Sequence, residues 1–390
     1  MSQNNLKEII KFRLDKIDSL KQNSIEPYAY KYDVKNSIKD IKSNKDKYID
    51  KKVSIAGRLI SLRKMGKTSF INVQDMYDNI QVYIKNTNLD DLLYDNIVRK
   101  LDLGDIVGVH GQIFFTKTKE LSIKASEIVL LSKNIRPLPN MKEKDGKTFF
   151  SFDDKEHRYR KRYLDLIINS PNKMVFINRS KIINELRVFL NSKNFIEVET
   201  PILQPIYGGA NAKPFTTHHN TLDQKLYLRI ADELYLKRLI VGGFDKVYEI
   251  SKNFRNEGMD RNHNPEFTML EFYSAYDDIH DMINITESLI KHVAKTIKYD
   301  DKKIQFDKKF KVLSFYNSLD KLSKQQISSM NSKELYELLK KQGITLDKKS
   351  NRAKLLDKAF SHYVEPVLIE PTFVIDYPKE LSPLAKNLRD

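Results

Sequence analysis

The 390-residue chain has no cysteine, which excludes disulfide bonds and thiolate metal sites. It has no apolar run of membrane-spanning length, and its first residues lack the apolar core of a signal peptide. The sequence therefore predicts a cytoplasmic protein with no membrane contact, and we assign no metal-binding residue. Acidic residues are also fewer than basic ones, 52 against 68, which gives a formal net charge of +16. Such a charge favours a polyanionic partner, although a compositional bias toward Lys, Asn and Ile explains it equally well.

The N-terminal segment carries apolar residues at helical spacing between Leu6 and Leu20, which predicts an amphipathic helix. Its basic residues, including Arg13 and Lys16, are expected on the exposed face. There they either follow a phosphate backbone or are simply solvated. We assign residues 1–50 to this helix and an N-terminal extension.

Residues 53–131 change to five short strand-like segments, with one helical insert near residues 89–101. This pattern predicts an OB-fold β-barrel, which we place at residues 51–135. OB-folds bind single-stranded nucleic acid by stacking bases on aromatic rings in a basic groove. Phe70 could stack a base and Gln81 could read its edge, and the alternative for Phe70 is a core position. Prolines follow in a linker at residues 136–165.

Two strands joined by a polar loop are predicted at residues 247–254 and 266–276. Side chains alternate between the two faces of a strand. One face of the first strand therefore carries Glu249, Ser251, Asn253 and Arg255, and one face of the second carries Phe267, Met269, Glu271 and Tyr273. If these faces coincide, the sheet presents a guanidinium, an aromatic ring, a carboxylate and a phenol. That combination suits a ligand that is part anion, part flat ring and part cation.

These residues carry a resemblance to a known family. The runs Phe-Arg-Asn-Glu at 254–257, Arg-Asn-His-Asn at 261–264 and Pro-Glu-Phe-Thr at 265–268 resemble the second signature motif of class II aminoacyl-tRNA synthetases. Residues 271–276, Glu-Phe-Tyr-Ser-Ala-Tyr, narrow the resemblance to the lysyl-tRNA synthetase family. The absence of His-Ile-Gly-His and Lys-Met-Ser-Lys-Ser runs also fits class II rather than class I.

The resemblance covers about residues 13–386 and implies an α+β protein. The implied architecture is an N-terminal OB-fold β-barrel followed by a class II catalytic domain, an antiparallel sheet with flanking helices, at residues 166–390. A helical insertion is expected at about residues 308–366, after which residues 371–386 are expected to resume the catalytic sheet. The helix, strand and proline of residues 175–201 resemble the family's dimer-forming motif, which implies a homodimer.

The implied activity is the ATP-dependent ligation of L-lysine to lysine tRNA through a lysyl-adenylate. By resemblance, the site residues fall into three groups: ATP-binding Arg255, Glu257, His263, Asn264 and Phe267, with Arg255 catalytic; lysine-binding Gly209, Glu233, Arg255, Glu271 and Tyr273; and anticodon-binding Arg58, Phe70, Gln81 and Glu120. The chemistry agrees, because a buried ammonium needs carboxylates and a phosphoryl-transfer transition state needs cations. The simpler alternatives are a structural salt bridge for Arg255, a helix-capping role for Glu233 and a merely solvated His263.

The family continues into a third motif and into glutamates that hold Mg²⁺, which would lie beyond Asp390. We therefore expect that the sequence is incomplete at its C-terminal end and that residues 1–390 alone do not form lysyl-adenylate. Mg²⁺ is expected to serve the complete enzyme. A shorter protein would be expected to carry polar residues where that end would cover the sheet, but the positions there are apolar: Val374, Ile375, Leu381 and Leu384. Two other functions stay open. One is a non-enzymatic tRNA-binding fragment, and the other is an amino-acid ligase acting on protein, against which the barrel argues.

Overall fold

The computed structural model describes residues 3–88, 91–139, 141–144, 147–150, 152, 154–297, 304–347, 350–382 and 385–386. Internal contacts divide the chain into two compact units, Met1–Phe176 and Ile177–Asp390. The domain boundaries expected at residues 51, 136 and 166 stay predictions. Within the described ranges, no helix combines the length and the apolar character that crossing a membrane requires.

The first unit begins with three helices, α1 (Gln3–Gln22), α2 (Ile38–Ser43) and α3 (Lys45–Tyr48). The predicted amphipathic helix is confirmed as α1, and its Ile17 and Leu20 are buried. Ser37 begins α2, because its side chain accepts a hydrogen bond from the backbone N–H of Asp40.

Two basic residues of α1 differ from their predicted exposed positions. Arg13 is buried, and its guanidinium donates to the carbonyl of Asn134 at 2.8 Å and that of Leu103 at 3.3 Å. Lys16 contacts Asp102 at 2.6 Å, and its side chain is only 15% exposed. The prediction was wrong for both because these carbonyls and this carboxylate hold them inside the unit. The spacing of apolar residues alone does not reveal such partners.

A closed barrel forms the main core of the first unit. Its strands are β1 (Lys52–Met65), β2 (Thr68–Gln74), β3 (Asn79–Lys85), β4 (Ile106–Phe115) and β5 (Leu121–Ser132), in the order β1-β2-β3-β5-β4. Neighbours run antiparallel except β3 and β5, which are parallel. Ile55, Leu59 and Val82 are among the apolar side chains buried inside. The OB-fold prediction is confirmed, and its helical insert is α4 (Asp91–Asn96) with a 3-10 turn at Val98–Lys100.

A short hairpin and two short helices complete this unit: β6 (Met141–Lys144), β7 (Lys147–Phe150), α5 (Lys155–Arg160) and α6 (Arg162–Ile168). Asp165 of α6 is fully buried. It accepts hydrogen bonds from Arg158 at 2.8 Å, Arg162 at 2.6 Å and Asn169 at 2.8 Å. This carboxylate therefore fixes α5 and α6 against each other.

The elements from Lys173 to Thr296 are helices and strands, and their strands form two sheets. They are α7 (Lys173–Ser192), β8 (Ile196–Glu197), β9 (Leu203–Gln204), β10 (Thr216–His219), β11 (Gln224–Leu228), α8 (Glu233–Val241), β12 (Lys246–Phe254), β13 (Glu266–Ser274) and α9 (Ile279–Thr296). One sheet has the order β10-β11-β9 and is antiparallel. The other has the order β13-β12-β8, with an antiparallel β12–β13 hairpin and a short parallel contact to β8.

The predicted insertion packs around its own core. It contains β14 (Lys311–Ser314), α10 (Phe315–Ser323), α11 (Ser332–Lys341) and α12 (Arg352–Tyr363), and β15 (Thr372–Ile375) follows it. The rings of Phe315 and Phe360 stack at 4.5 Å between centroids. The helices expected at residues 332–342 and 351–363 are confirmed.

The expectation that residues 371–386 resume the catalytic sheet was wrong for the described residues. There β15 pairs in parallel with β14 in a separate two-stranded sheet. The physical reason is local cover, because Val374 and Leu381 pack against the core of the insertion. Both side chains are partly buried there, and Leu384 lies outside the described residues.

Candidate functional site

The β12–β13 hairpin brings the two predicted polar faces together. Glu249 lies opposite Glu271, and Asn253 lies opposite Phe267. Directly opposed residues of an antiparallel pair point to the same side of the sheet, so the two faces coincide as expected. Just beyond β12, the backbone N–H of Arg255 donates to the carbonyl of Pro265 at 2.9 Å. Arg255 is thereby held at the end of the hairpin.

Arg255 keeps most of its hydrogen-bonding capacity. Its guanidinium lies 5.1 Å from the ring centroid of Phe267, and its Nε is 3.4 Å from the carbonyl oxygen of Ile230. Among the described residues, no carboxylate lies within ion-pair distance of it, so the alternative of a structural salt bridge is not found. A guanidinium with no counter-charge can donate two parallel hydrogen bonds to oxygens of an anionic ligand.

Glu271 is a half-buried carboxylate on the same sheet face. It accepts hydrogen bonds from the Tyr273 hydroxyl at 3.0 Å and from the backbone N–H of Asp232 at 3.3 Å. Burial raises the pKa of Glu271, and the negative charges of Asp232 and Glu233 raise it further against these hydrogen bonds. In the described part of the chain, no Lys, Arg or His nitrogen forms an ion pair with it. Burial and the Glu271 carboxylate also raise the pKa of Tyr273, so its hydroxyl remains a donor.

Glu233 and Gly209 lie next to each other at the start of α8. The carboxylate of Glu233 contacts Lys237 one turn further along the helix and makes no capping hydrogen bond. Gly209 has φ +86°, and a Cβ built there would lie 3.0 Å from Cβ of Glu233 and 3.1 Å from Cβ of Ala231. Glycine is therefore required for this close approach. The structure thus places both residues together, and their lysine-binding roles stay predictions.

A buried polar network lies beside this site. Its central residue is Asp232, which the sequence analysis did not identify. Its Oδ2 accepts from Ser251 at 2.6 Å and from Asn253 at 3.4 Å. Burial raises the pKa of Asp232, and the hydrogen bond from Ser251 opposes that shift. Arg229 pairs with Glu249 at 2.7 Å. The polar residues of β12 thus anchor the start of α8, and an acid directly before a helix was the available sequence signal.

The remaining residues assigned to ATP lie on exposed parts of the loop between β12 and β13. His263 is not simply solvated, because its Nδ1 lies 2.8 Å from Oδ2 of Asp260. Asn264 donates from its side chain to the carbonyl of Glu266 at 2.6 Å. Glu257 accepts from the backbone N–H of Lys213 at 3.4 Å. Their contacts with ATP stay predictions.

The barrel carries a separate cavity of about 590 Å³. Three of the four residues assigned to the anticodon line it: Phe70, Gln81 and Glu120. Phe70 is half-buried rather than enclosed in the core, and its ring lies 5.2 Å from that of Tyr83. Tyr83 in turn contacts Phe114 at 6.1 Å, which extends the aromatic wall. Such a wall with polar groups beside it can stack and read bases.

Arg58 requires a correction, because the structure does not bring it to this cavity. It lies opposite Gln74, and its guanidinium donates to the carbonyl of Gly104 at 2.7 Å. Burial lowers the pKa of Arg58. Arg63 lies opposite Phe70 and lines the cavity instead. Counting back along the strands from the tight turn after β1 would have identified Arg63 from the sequence.

In the described ranges, no group of three or more His, Cys, Asp or Glu side chains is arranged to hold a metal ion. The three acidic residues of this site already have partners. Glu271 accepts from Tyr273, Asp232 accepts from Ser251, and Glu233 pairs with Lys237. These residues do not by themselves fit a resident Mg²⁺ site.

Comparisons with known proteins agree with this geometry. Residues 154–390 match the family "tRNA synthetases class II (D, K and N)", and residues 53–131 match "OB-fold nucleic acid binding domain". The chain is 44% identical to "Lysine--tRNA ligase" of Carboxydothermus hydrogenoformans, over 100% of this chain and 80% of that protein. It is 46% identical to the protein of that name from Christiangramia forsetii, over 99% of this chain and 70% of the relative. The chain belongs to the lysine–tRNA ligase family of the class II tRNA synthetases.

Proposed function

We propose that the protein uses ATP to ligate L-lysine to lysine tRNA through a lysyl-adenylate. The observation that carries this proposal is Glu271, a half-buried carboxylate that Tyr273 orients and that has no cationic partner among the described residues. An unpaired buried charge is unfavourable, and a lysine ammonium would neutralise it. An aspartate or asparagine substrate would need a cation at this position instead.

The adenylation step joins two substrates, lysine at Glu271 and ATP at Arg255, that bind along the same face of the sheet. The lysine carboxylate attacks the α-phosphorus of ATP, an oxygen–phosphorus bond forms, and pyrophosphate leaves. Negative charge crowds at phosphorus in the transition state, where preorganised cations are most effective. The guanidinium of Arg255 is available for this role, and the ring of Phe267 beneath it offers a surface on which the adenine can stack. Glu257, His263 and Asn264 extend the ATP site along the exposed loop.

The second step transfers the lysyl group to a terminal hydroxyl of the tRNA, and AMP leaves. The barrel cavity supplies recognition of the anticodon. Phe70 stacks a base, Gln81 and Glu120 read base edges, and Arg63 contacts the phosphate backbone. The cavity itself supports this assignment, because it joins aromatic, amide, carboxylate and guanidinium groups on one surface. We place the reaction in the cytoplasm, where ATP, lysine and tRNA meet.

A second copy of the chain is a further proposed partner. The segment that resembles the family's dimer-forming motif leaves large apolar side chains exposed, and they include Val175, Val188 and Ile196. Their proposed role is a shared patch, because contiguous exposed apolar surface marks protein interfaces. We therefore expect a homodimer, and sedimentation velocity measures it directly.

The test of the proposed function is exchange of labelled pyrophosphate into ATP by the complete protein, including the C-terminal end expected beyond Asp390. Exchange should depend on added L-lysine and stay at background with L-aspartate or L-asparagine. Exchange supported by aspartate or asparagine, with none for lysine, would reject the lysine assignment. Binding of lysine tRNA without any exchange would instead favour a non-enzymatic tRNA-binding role.

A further inference from the structure

A lysine side chain of the protein already lies in the site assigned to the substrate lysine. Lys237 stands one turn after Glu233 on α8, and its Nζ lies 2.5 Å from Oε1 of Glu233. The same Nζ is 5.9 Å from the ring centroid of Tyr273, whose hydroxyl donates to Glu271. The ε-ammonium of Lys237 therefore has the chemistry of the expected ligand, and it contacts Glu233 and lies over the ring of Tyr273, two of the groups expected to bind that ligand.

We propose that Lys237 is a built-in competitor of the substrate. Its ammonium pairs with Glu233 in the unliganded protein, and an ammonium group of the incoming lysine displaces it. This inference rests on the proposed function, because it takes Glu233, Glu271 and Tyr273 as the lysine site. It adds Lys237 as a residue that lowers the affinity for lysine, because the ligand must displace its ammonium from Glu233.

The exposure of the two partners shows which one can move. The side chain of Glu233 is 16% exposed and lies against Gly209, whereas that of Lys237 is 48% exposed. Lys237 can therefore turn its ammonium into water while the carboxylate stays in place. Ion pairs between helix residues four apart contribute little to stability, so its release is readily offset by a ligand.

Charge balance gives the reason for displacement. Three acids lie at this site, and Asp232 is 3.3 Å from the guanidinium of Arg229. With Lys237 on Glu233, only Glu271 lacks a cation among the described residues. Lysine has two ammonium groups and one carboxylate, so a retained Lys237 would place three ammonium groups beside two carboxylates of the protein, Glu233 and Glu271. Like charges this close repel, which favours an outward Lys237 in the complex.

The decisive measurement is calorimetric titration of L-lysine into the full chain without ATP. Lys237→Met keeps the length of the side chain and removes its charge. We expect its Kd for lysine to fall roughly 2- to 5-fold below that of the parent, the gain from removing one partly exposed ion pair. Lys237→Arg retains the cation and should leave the Kd within about twofold of the parent.

A matched control lies on α9. Lys291 contacts Glu287 one turn earlier at 2.6 Å and lies 5.6 Å from the ring centroid of Phe310. Lys291→Met removes an equivalent pair away from the site and should leave the lysine Kd unchanged. A thermal melt of each variant shows whether loss of either pair alters stability to the same extent.

The outcomes separate this inference from the proposed function. Tighter lysine binding by Lys237→Met, with no change in Lys291→Met, supports the competitor role. Equal or weaker binding by Lys237→Met overturns the competitor role. Lys237 would then form only a surface ion pair or hold Glu233 in place, and lysine binding by the parent would still support the proposed function. If the parent binds no lysine, both the inference and the lysine assignment fail.

Discussion

Arg255 is a cation that the surrounding structure positions but does not neutralise. Its backbone is tied to Pro265, and its guanidinium rests over Phe267 without a carboxylate among the described residues. Arg255→Ala should therefore leave the fold intact and slow lysine-dependent pyrophosphate exchange roughly 100-fold or more, the usual effect of losing one transition-state donor. Exchange rates and circular dichroism of the variant test both parts.

Arg238→Ala is the matched control for Arg255. The guanidinium of Arg238 lies 4.8 Å from the ring centroid of Tyr235, which reproduces the cation over an aromatic ring on an exposed part of α8. This variant should retain near-parental exchange. A similar loss in both variants would mean that the effect comes from general surface charge rather than from the position of Arg255.

Glu271 gives lysine binding a defined pH dependence. Burial and the nearby charges of Asp232 and Glu233 raise its pKa, so it takes up a proton at a higher pH than an ordinary glutamate. Only the ionised form attracts an ammonium, so lysine affinity should fall as pH decreases through this raised pKa. Titrations at several pH values check this. Glu271→Gln should bind lysine weakly at every pH, and a variant that retained the parental pH dependence would assign the titration to another group.

The sequence identified residues of the site whose position follows from strand alternation. Glu271, Tyr273 and Phe267 are such residues, because the hairpin register places them on one face as the alternation requires. It offered only one signal for Asp232, an acid directly before a helix, because the role of Asp232 depends on contacts with Ser251 and Asn253 from another element. Arg58 was also chosen over Arg63, because the pairing of β1 with β2 was not counted back from the turn that joins them. Pairing across elements was the missing information.

At the scale of single elements, Asp165 is the group on which α5 and α6 depend. Burial alone would raise its pKa, but hydrogen bonds from Asn169, Arg158, Arg162 and Asn172 lower it to about 2. Because this pKa lies below the ordinary value of 3.8, the ionised carboxylate stabilises the fold above about pH 4. That contribution, about 2 kcal/mol, is lost as pH falls from about 4 to about 2.

Asp165→Asn should lower the free energy of unfolding of the first unit by about 2 kcal/mol at pH 7, because the amide cannot serve two guanidinium groups. Urea unfolding measured between pH 2 and pH 7 tests this, and the variant should also lose part of the acid dependence. Glu156→Gln removes an exposed pair with Arg160 and should change stability by less than about 0.5 kcal/mol. Equal stabilities of the two variants would contradict the role of Asp165.

Helices and barrel strands were predictable because each carries its own periodicity. The pairing of β15 with β14 was not, because residues 311–314 and 372–375 are far apart in the chain and each is only four residues long. The burial of Arg13 was hidden for a similar reason. Its partners are backbone carbonyls at Leu103 and Asn134, which leave no mark on residue type.

At the scale of the whole molecule, a net charge of +16 and an aromatic cavity make different contributions to RNA binding. Basic charge attracts any polyanion, and this attraction weakens steeply with salt because bound counterions are released. Stacking on Phe70 is insensitive to salt and requires an unpaired base. The two contributions can therefore be separated by measuring affinity against salt concentration.

The full chain should bind a stem-loop that carries the U-rich lysine anticodon, measured by fluorescence anisotropy at several salt concentrations. Phe70→Ala should lose roughly 1–3 kcal/mol of affinity at every salt concentration and leave the slope of log affinity against log salt unchanged. Arg63→Ala should reduce that slope by about 0.7 to 1, since one phosphate contact is lost. Arg58→Ala is the matched control on the same strand, because its guanidinium is occupied by the Gly104 carbonyl. A reduced slope in Arg58→Ala with a parental slope in Arg63→Ala would reverse the assignment and place the RNA on the other end of β1.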